Sequence, residues 1–206
     1  MSLYAIKPSL VAVLDPMIQT AERCGVNPNH VTLLAIPTGA LFSGSVIGGA
    51  IIPWLWLTTP LFATGVMALN AMDGELARRT RSESHVGRAL NELTDRVGDM
   101  LLALPAFVLF GGELGWAVVA SILVAEIPSL IGWGSIAERI LGGPMGKPDR
   151  VAIVSTGAVA SFFASDVLLW LAYVVVAVGS WCTGFNRVRR LLRKAARSDR
   201  ATAHAG

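Results

Sequence analysis

The residues of this chain best suited to chemistry lie together in one stretch, NAMDGELARRTRSESHVGRALNELTD, Asn70 to Asp95. If the segment leading into it is helical, Asn70, Asp73 and Ala77 fall at i, i+3 and i+7 along one face. Beyond the intervening turn, Gly87, Asn91, Asp95 and Asp99 recur every four residues, with Glu92 at the border of their face. Two helices that turn carboxylate and amide oxygens toward each other suit a hard divalent cation. A metal would offset the mutual repulsion of Asp73, Asp95 and Asp99. Salt bridges to Arg78, Arg79, Arg88 and Arg96 could explain any one of these acids, but they account poorly for the spaced set. Gly74, Ala77 and Gly87 are small enough to admit a ligand or a second helix close to the backbone. With Arg78 adjacent, they outline a slot for a nucleotide or phosphate.

The elements that must position these residues are apolar. Hydrophobic residues make up 53% of the 206, charged residues only 15%, and mean hydropathy is +0.59. Soluble domains sit nearer a quarter charged. From Val31 to Met72 there is no charged side chain. Each membrane crossing needs about 20 mostly apolar residues, so the chain is expected to be an all-α integral membrane protein, a bundle of six transmembrane helices. The crossings are predicted near 31–48, 51–71, 90–112, 114–136, 151–166 and 168–187. Residues 1–29 read as an amphipathic surface segment rather than a secretory signal, since Pro8, Asp15 and Pro16 interrupt the apolar stretch. The expected division is therefore a juxtamembrane segment 1–29, a six-helix domain 30–187 and a basic cytoplasmic tail 188–206.

The basic residues support this layout. The 17 Lys and Arg fall at the N-terminus, after the second crossing, after the fourth and after the sixth; the loops on the opposite side carry none. Basic loops stay in the cytoplasm, so both termini and the Asn70–Asp95 stretch are expected to face it from the cell membrane. The tail RVRRLLRKAARSDR fits attraction to anionic lipid better than a nucleic-acid partner.

Asp73-Gly74-x-x-Ala77-Arg78, eight residues, Gly87, three residues, Asn91, three residues, Asp95 resembles the signature of the CDP-alcohol phosphatidyltransferases. Asn27-Pro28-Asn29-His30-Val31-Thr32 is similar to the entry into that family's first crossing, and six crossings with cytoplasmic ends is its architecture. The resemblance implies transfer of a substituted phosphate from a CDP-linked donor such as CDP-diacylglycerol to an alcohol, with release of CMP. It implies two divalent ions, Mg²⁺ or Mn²⁺, with Asp73 and Asp95 as ligands and Asp95 also as the base for the attacking hydroxyl. Gly74, Ala77, Arg78 and Gly87 would line the CDP site together with Asp73. A lipid substrate, the bilayer and a homodimer are the implied partners.

Two positions depart from the pattern. The family's first and third acids are Asn70 and Asn91 here; each keeps a carbonyl oxygen for a metal and loses a charge, and Glu92 and Asp99 are placed to compensate. The same pattern resembles a branch similar to phosphatidylglycerophosphate synthases, so glycerol 3-phosphate is the first acceptor to consider, with inositol phosphate beside it. Arg139, Lys147 and Arg150, in and around the loop GGPMGKPDR, are the candidate cations for an acceptor phosphate. Glu126, the one acid deep within a predicted crossing, either faces a polar cavity or pairs structurally. Cys24 and Cys182 show no disulfide or metal pattern, and His30, His85 and His204 no metal spacing. A catalytically weak member acting as a membrane scaffold is the leading alternative. A small transporter fits less well, because its polar groups would be spread across membrane depth.

Overall fold

The computed structural model describes residues 7–136, 140 and 142–203, and every regular element among them is helical. The surface segment forms α1, Lys7–Arg23, and is followed by α2, Pro28–Gly48. Asn27 caps α2 by accepting the Asn29 amide at 2.9 Å, and Pro28 opens it without losing a needed donor. A short 3-10 turn, Pro53–Thr58, reverses the chain into α3, Thr59–Arg79. The helix α4 spans His85–Phe110 and is capped by Ser84, whose hydroxyl accepts the Gly87 amide at 2.9 Å. At Gly111 φ is 90°, a conformation open to glycine, and there the chain turns directly into α5, Gly112–Ile136. The last two helices are α6, Lys147–Phe163, and α7, Val167–Ala203.

Thus α2 and α4 to α7 stand close to five of the six expected crossings, whereas the second, expected at 51–71, is displaced to α3 at 59–79 because Pro53–Thr58 forms the reversal. Four stretches are long and apolar enough to span a bilayer by themselves: Pro28–Gly48, Pro53–Arg79, Gly112–Ser135 and Val167–Ala196. The other two depart from that standard for visible reasons. Five charged residues fall from Arg88 to Asp99 on α4, and α6 is only 17 residues long. The protein is an all-α membrane protein. Its second apolar helix runs past residue 71 to Arg79, carrying the Asp73 motif on regular helix. The basic tail continues α7 without a break to Ala203.

Packing runs α2 against α3 and α4, α5 against α4 and α7, and α6 against α7. The main core joins Phe42, Trp56, Leu102, Ile122, Val154 and Tyr173. Its polar atoms are satisfied internally: Tyr173 donates to the Leu102 carbonyl at 3.1 Å, and Trp56 Nε1 to the Val46 carbonyl at 3.0 Å. A smaller cluster of Leu14, Ile18, Val31 and Leu76 seats α1 on α2 and α3. Leu34, Leu41, Trp116, Val178 and Trp181 are exposed, as hydrocarbon-facing side chains are in a bilayer.

Candidate active site

The C-terminal half of α3, the first turns of α4 and the start of α2 enclose a cleft of about 680 Å³. From α3 it is lined by Asn70, Asp73, Gly74, Ala77 and Arg78, from α4 by Gly87, Arg88 and Asn91, and from the chain entering α2 by Asn27, Asn29 and Thr32. The i, i+3, i+7 and i, i+4 spacings therefore do bring these residues onto facing sides of one cavity. A Cβ built at Gly74 would meet nothing within 4 Å, so the missing side chain leaves open space at the cleft wall. At Gly87 a Cβ would lie 3.1 Å from both Asn29 Oδ1 and Ser84 Oγ, so here the small residue permits close approach of α4 to the start of α2.

Asp73 is buried, and its Oδ2 accepts the Thr32 hydroxyl at 2.8 Å. Beside it, Asn70 Oδ1 is buried with no hydrogen-bond partner among the described residues. An orphaned carbonyl oxygen in a buried position is costly unless something completes it. Next to a carboxylate and a second amide, Asn91, the completing group that suits it chemically is an oxygen-seeking cation. Among the described residues no three of His, Cys, Asp or Glu gather as a metal-holding group. The oxygens at this part of the cleft are instead carboxylate and amide, the consequence of asparagine at 70 and 91.

Asp95 and Asp99 lie further along α4, beyond the lining of the cleft. Lys147, at the start of α6, reaches Asp95 Oδ1 at 2.6 Å. It fits against α4 because residue 98 is glycine: a Cβ there would lie 3.0 Å from the ammonium nitrogen. Asp99 is 2% exposed and pairs with Arg150 at 3.3 Å and Arg96 at 3.1 Å. Of the candidate acceptor cations, Arg150 is fully buried, Lys147 is engaged with Asp95, and Arg139 lies outside the described residues. Glu126 resolves as an ion-paired group, bound by Arg150 and by Arg187, the latter at 2.9 Å.

Sequence reasoning did not anticipate Thr32, Asn27 and Asn29 as cleft residues or the Lys147–Asp95 pair. The polar run before α2 was a usable signal for the first three. The pair depends on how α6 meets α4 and had none. Arg78 turns to Glu75 on its own helix, and Arg79 joins Asp15 of α1 at 2.6 Å, tying the surface helix to α3.

The CDP-alcohol phosphatidyltransferase family model matches residues 26–181, and the chain belongs to that family. It is thus an enzyme, a membrane transferase of phospholipid biosynthesis. It is 33% identical over 199 residues to inner membrane protein YnbA of Escherichia coli K12, covering 93% of this chain and 97% of the relative. It is 29% identical to the phosphatidylinositol phosphate synthase of Streptomyces avermitilis, over 93% of this chain and 82% of that one. The archaetidylinositol phosphate synthase of Pyrococcus horikoshii is 27% identical, over 90% and 94%. The fold is shared with Mycobacterium tuberculosis phosphatidylinositol phosphate synthase, solved with CDP-DAG bound: TM-score 0.63, 22% identity, 85% of this chain and 92% of that one. The same enzyme with manganese and citrate gives a TM-score of 0.62 at 22% identity, over 86% and 88%.

Proposed function

We propose that this enzyme transfers a substituted phosphate from a CDP-diacylglycerol-type donor to an alcohol and releases CMP, with the reaction centred on the α3–α4 cleft. The single observation that carries this reading is the cleft itself. It brings Asn70, Asp73, Gly74, Ala77, Arg78, Gly87 and Asn91 to one cavity, with the Asn70 carbonyl buried and unsatisfied. A relative of the same fold was solved with CDP-DAG and, separately, with manganese.

Asn70, Asp73, Asn91 and Asp95 would hold divalent ions, magnesium or manganese, and two by the family resemblance; Asp99 is drawn away by its arginine partners. When bound, such ions polarise phosphoryl oxygens and neutralise the departing phosphate. Thr32 orients Asp73 for that role. Gly74 leaves room for the donor's nucleotide beside the α3 backbone, and Arg78, half-exposed at the rim, offers a guanidinium to its phosphates. Asp95, held by Lys147, takes the proton of the attacking hydroxyl as the new P–O bond forms. The basic-residue distribution supports a cell-membrane location with the cleft and both termini on the cytoplasmic side. Glycerol 3-phosphate and inositol phosphate would both need cations free to meet their phosphate, a requirement that bears on the acceptor's class.

The test is purified protein with CDP-diacylglycerol, Mg²⁺ or Mn²⁺ and a panel of alcohols, following CMP release and the masses of lipid products. Metal-dependent CMP release is expected, and its absence with every acceptor sinks the reading. Asp95→Asn is expected to lower the rate by about 10²- to 10⁴-fold, the range for a lost acid–base group. Asp73→Asn should also abolish turnover while the protein stays folded in the membrane. Full activity in both variants refutes the site assignment.

A further inference from the structure

Lys147 is paired with Asp95 at 2.6 Å, and the arginines around Asp99 and Glu126 are balanced by carboxylates as well. Arg150 on α6 is fully buried and Arg187 on α7 is 1% exposed. Glu126 of α5 stands between them, its two oxygens taken by Arg150 and, at 2.9 Å, by Arg187. Arg150 turns its other terminal nitrogen to Asp99 at 3.3 Å. Arg187 also donates to the Ala125 carbonyl at 2.7 Å and the Gly142 carbonyl at 3.1 Å. Arg96 closes the group against Asp99 at 3.1 Å and Glu92 at 3.0 Å. The helix α5, which brings Glu126, contains no Lys or Arg.

This cluster lies one helical turn beyond Asp95, where a hydroxyl awaiting deprotonation would come to rest. Three guanidinium groups, on Arg96, Arg150 and Arg187, face three carboxylates, on Glu92, Asp99 and the partly buried Glu126, so a phosphate monoester would bring almost two negative charges to a neutral site. It could reach Arg150 and Arg187 only by displacing Glu126, and stripping a partly buried carboxylate of both its partners is unfavourable. The buried guanidinium nitrogens left without a hydrogen-bond partner among the described residues are Arg150 Nε and, on Arg96, Nε and Nη1, the last still ion-paired with Asp99 at 3.1 Å. These N–H groups belong to guanidiniums whose charge is already balanced, and they can donate to the hydroxyl oxygens of an uncharged acceptor without calling for a further anion.

We propose that Glu126 is a built-in counter-anion that sets acceptor specificity, so that the enzyme takes an uncharged hydroxyl compound in preference to its phosphate ester. The proposal rests on the transferase reading above, with Asp95 beside the acceptor.

The experiment compares matched acceptors, glycerol with glycerol 3-phosphate and inositol with inositol 1-phosphate, in wild type and in Glu126→Gln. Wild type should favour the uncharged member of each pair by at least about tenfold in kcat/KM, and Glu126→Gln should shift the ratio toward the phosphorylated member by a similar factor. Preference of wild type for the phosphate esters overturns the proposal and needs no variant. An equal loss with all acceptors in folded Glu126→Gln also overturns it, since that is what a merely structural group would give. If no acceptor yields CMP, the transferase reading fails, and binding of inorganic phosphate still decides the charge argument. In that case binding at least about tenfold tighter to Glu126→Gln than to wild type supports a counter-anion, and equal affinity refutes it.

Discussion

Asparagine at positions 70 and 91 keeps an oxygen that can ligate a metal while giving up a negative charge. The cleft consequently draws on Asp73, with Asp95 beyond its lining and already facing an ammonium. Asn91→Asp restores one charge beside Asp73 and is expected to lower the Mn²⁺ concentration at half-maximal CMP release; an unchanged requirement would show that residue 91 is no ligand. In the proposed site Thr32 would act on the same chemistry from one step away, since its hydroxyl holds a single oxygen of Asp73. Thr32→Val keeps shape and removes that hydrogen bond. It should raise the Mn²⁺ requirement by about 10- to 100-fold, as loss of groups behind metal ligands typically does.

At the scale of elements, the buried ion pairs depend on how closely the helices approach. A Cβ at Gly184 of α7 would lie 2.6 Å from Val124 Cγ1 and 2.7 Å from the Val124 carbonyl oxygen on α5. The backbone, not a flexible side-chain tip, stands in the way. Arg187 and Glu126 come three residues after Gly184 and two after Val124, so this contact brings the pair together. Gly184→Ala is expected to destabilise the protein by about 1–3 kcal/mol, read as a lower Tm in detergent. The docking of α1 is electrostatic as well as apolar. The Arg79 guanidinium beside Asp15 holds its carboxyl below the usual carboxylate range. Because the folded value is depressed, this contribution is present above the ordinary Asp pKa of about 3.9 and is lost as pH falls through the folded value. Hydrogen exchange of α1 should therefore accelerate in acid, and Asp15→Asn should remove that pH dependence.

For the whole molecule, the proposed orientation places the α1–α2 turn on the cytoplasmic side. Cys24 is exposed in that turn, and Cys182 is exposed on α7 within a stretch able to span the bilayer. In Cys182→Ser protein, a membrane-impermeant maleimide should label Cys24 in inside-out vesicles and not in right-side-out ones. In Cys24→Ser protein, Cys182 should resist the polar reagent in both. Labelling of Cys24 from the outer face alone would invert the topology.

Much of this was legible along the chain because membrane helices are ruled by local arithmetic. Apolar length and the spacing of basic loops locate the helices one at a time, while the caps at Asn27 and Ser84 fix where α2 and α4 begin. Helical periodicity then put Asn70, Asp73 and Ala77 on one face and Gly87 and Asn91 on another, which is the cleft wall observed. Tertiary structure alone decided which charges neutralise which. Lys147 meets Asp95 across 52 residues, and Arg187 meets Glu126 across 61. Along the chain Arg150 read as a free cation for a phosphate; in the bundle it is buried between Asp99 and Glu126. Where water is excluded, a charge is defined by the partner packed against it, and only the meeting of the helices determines that partner.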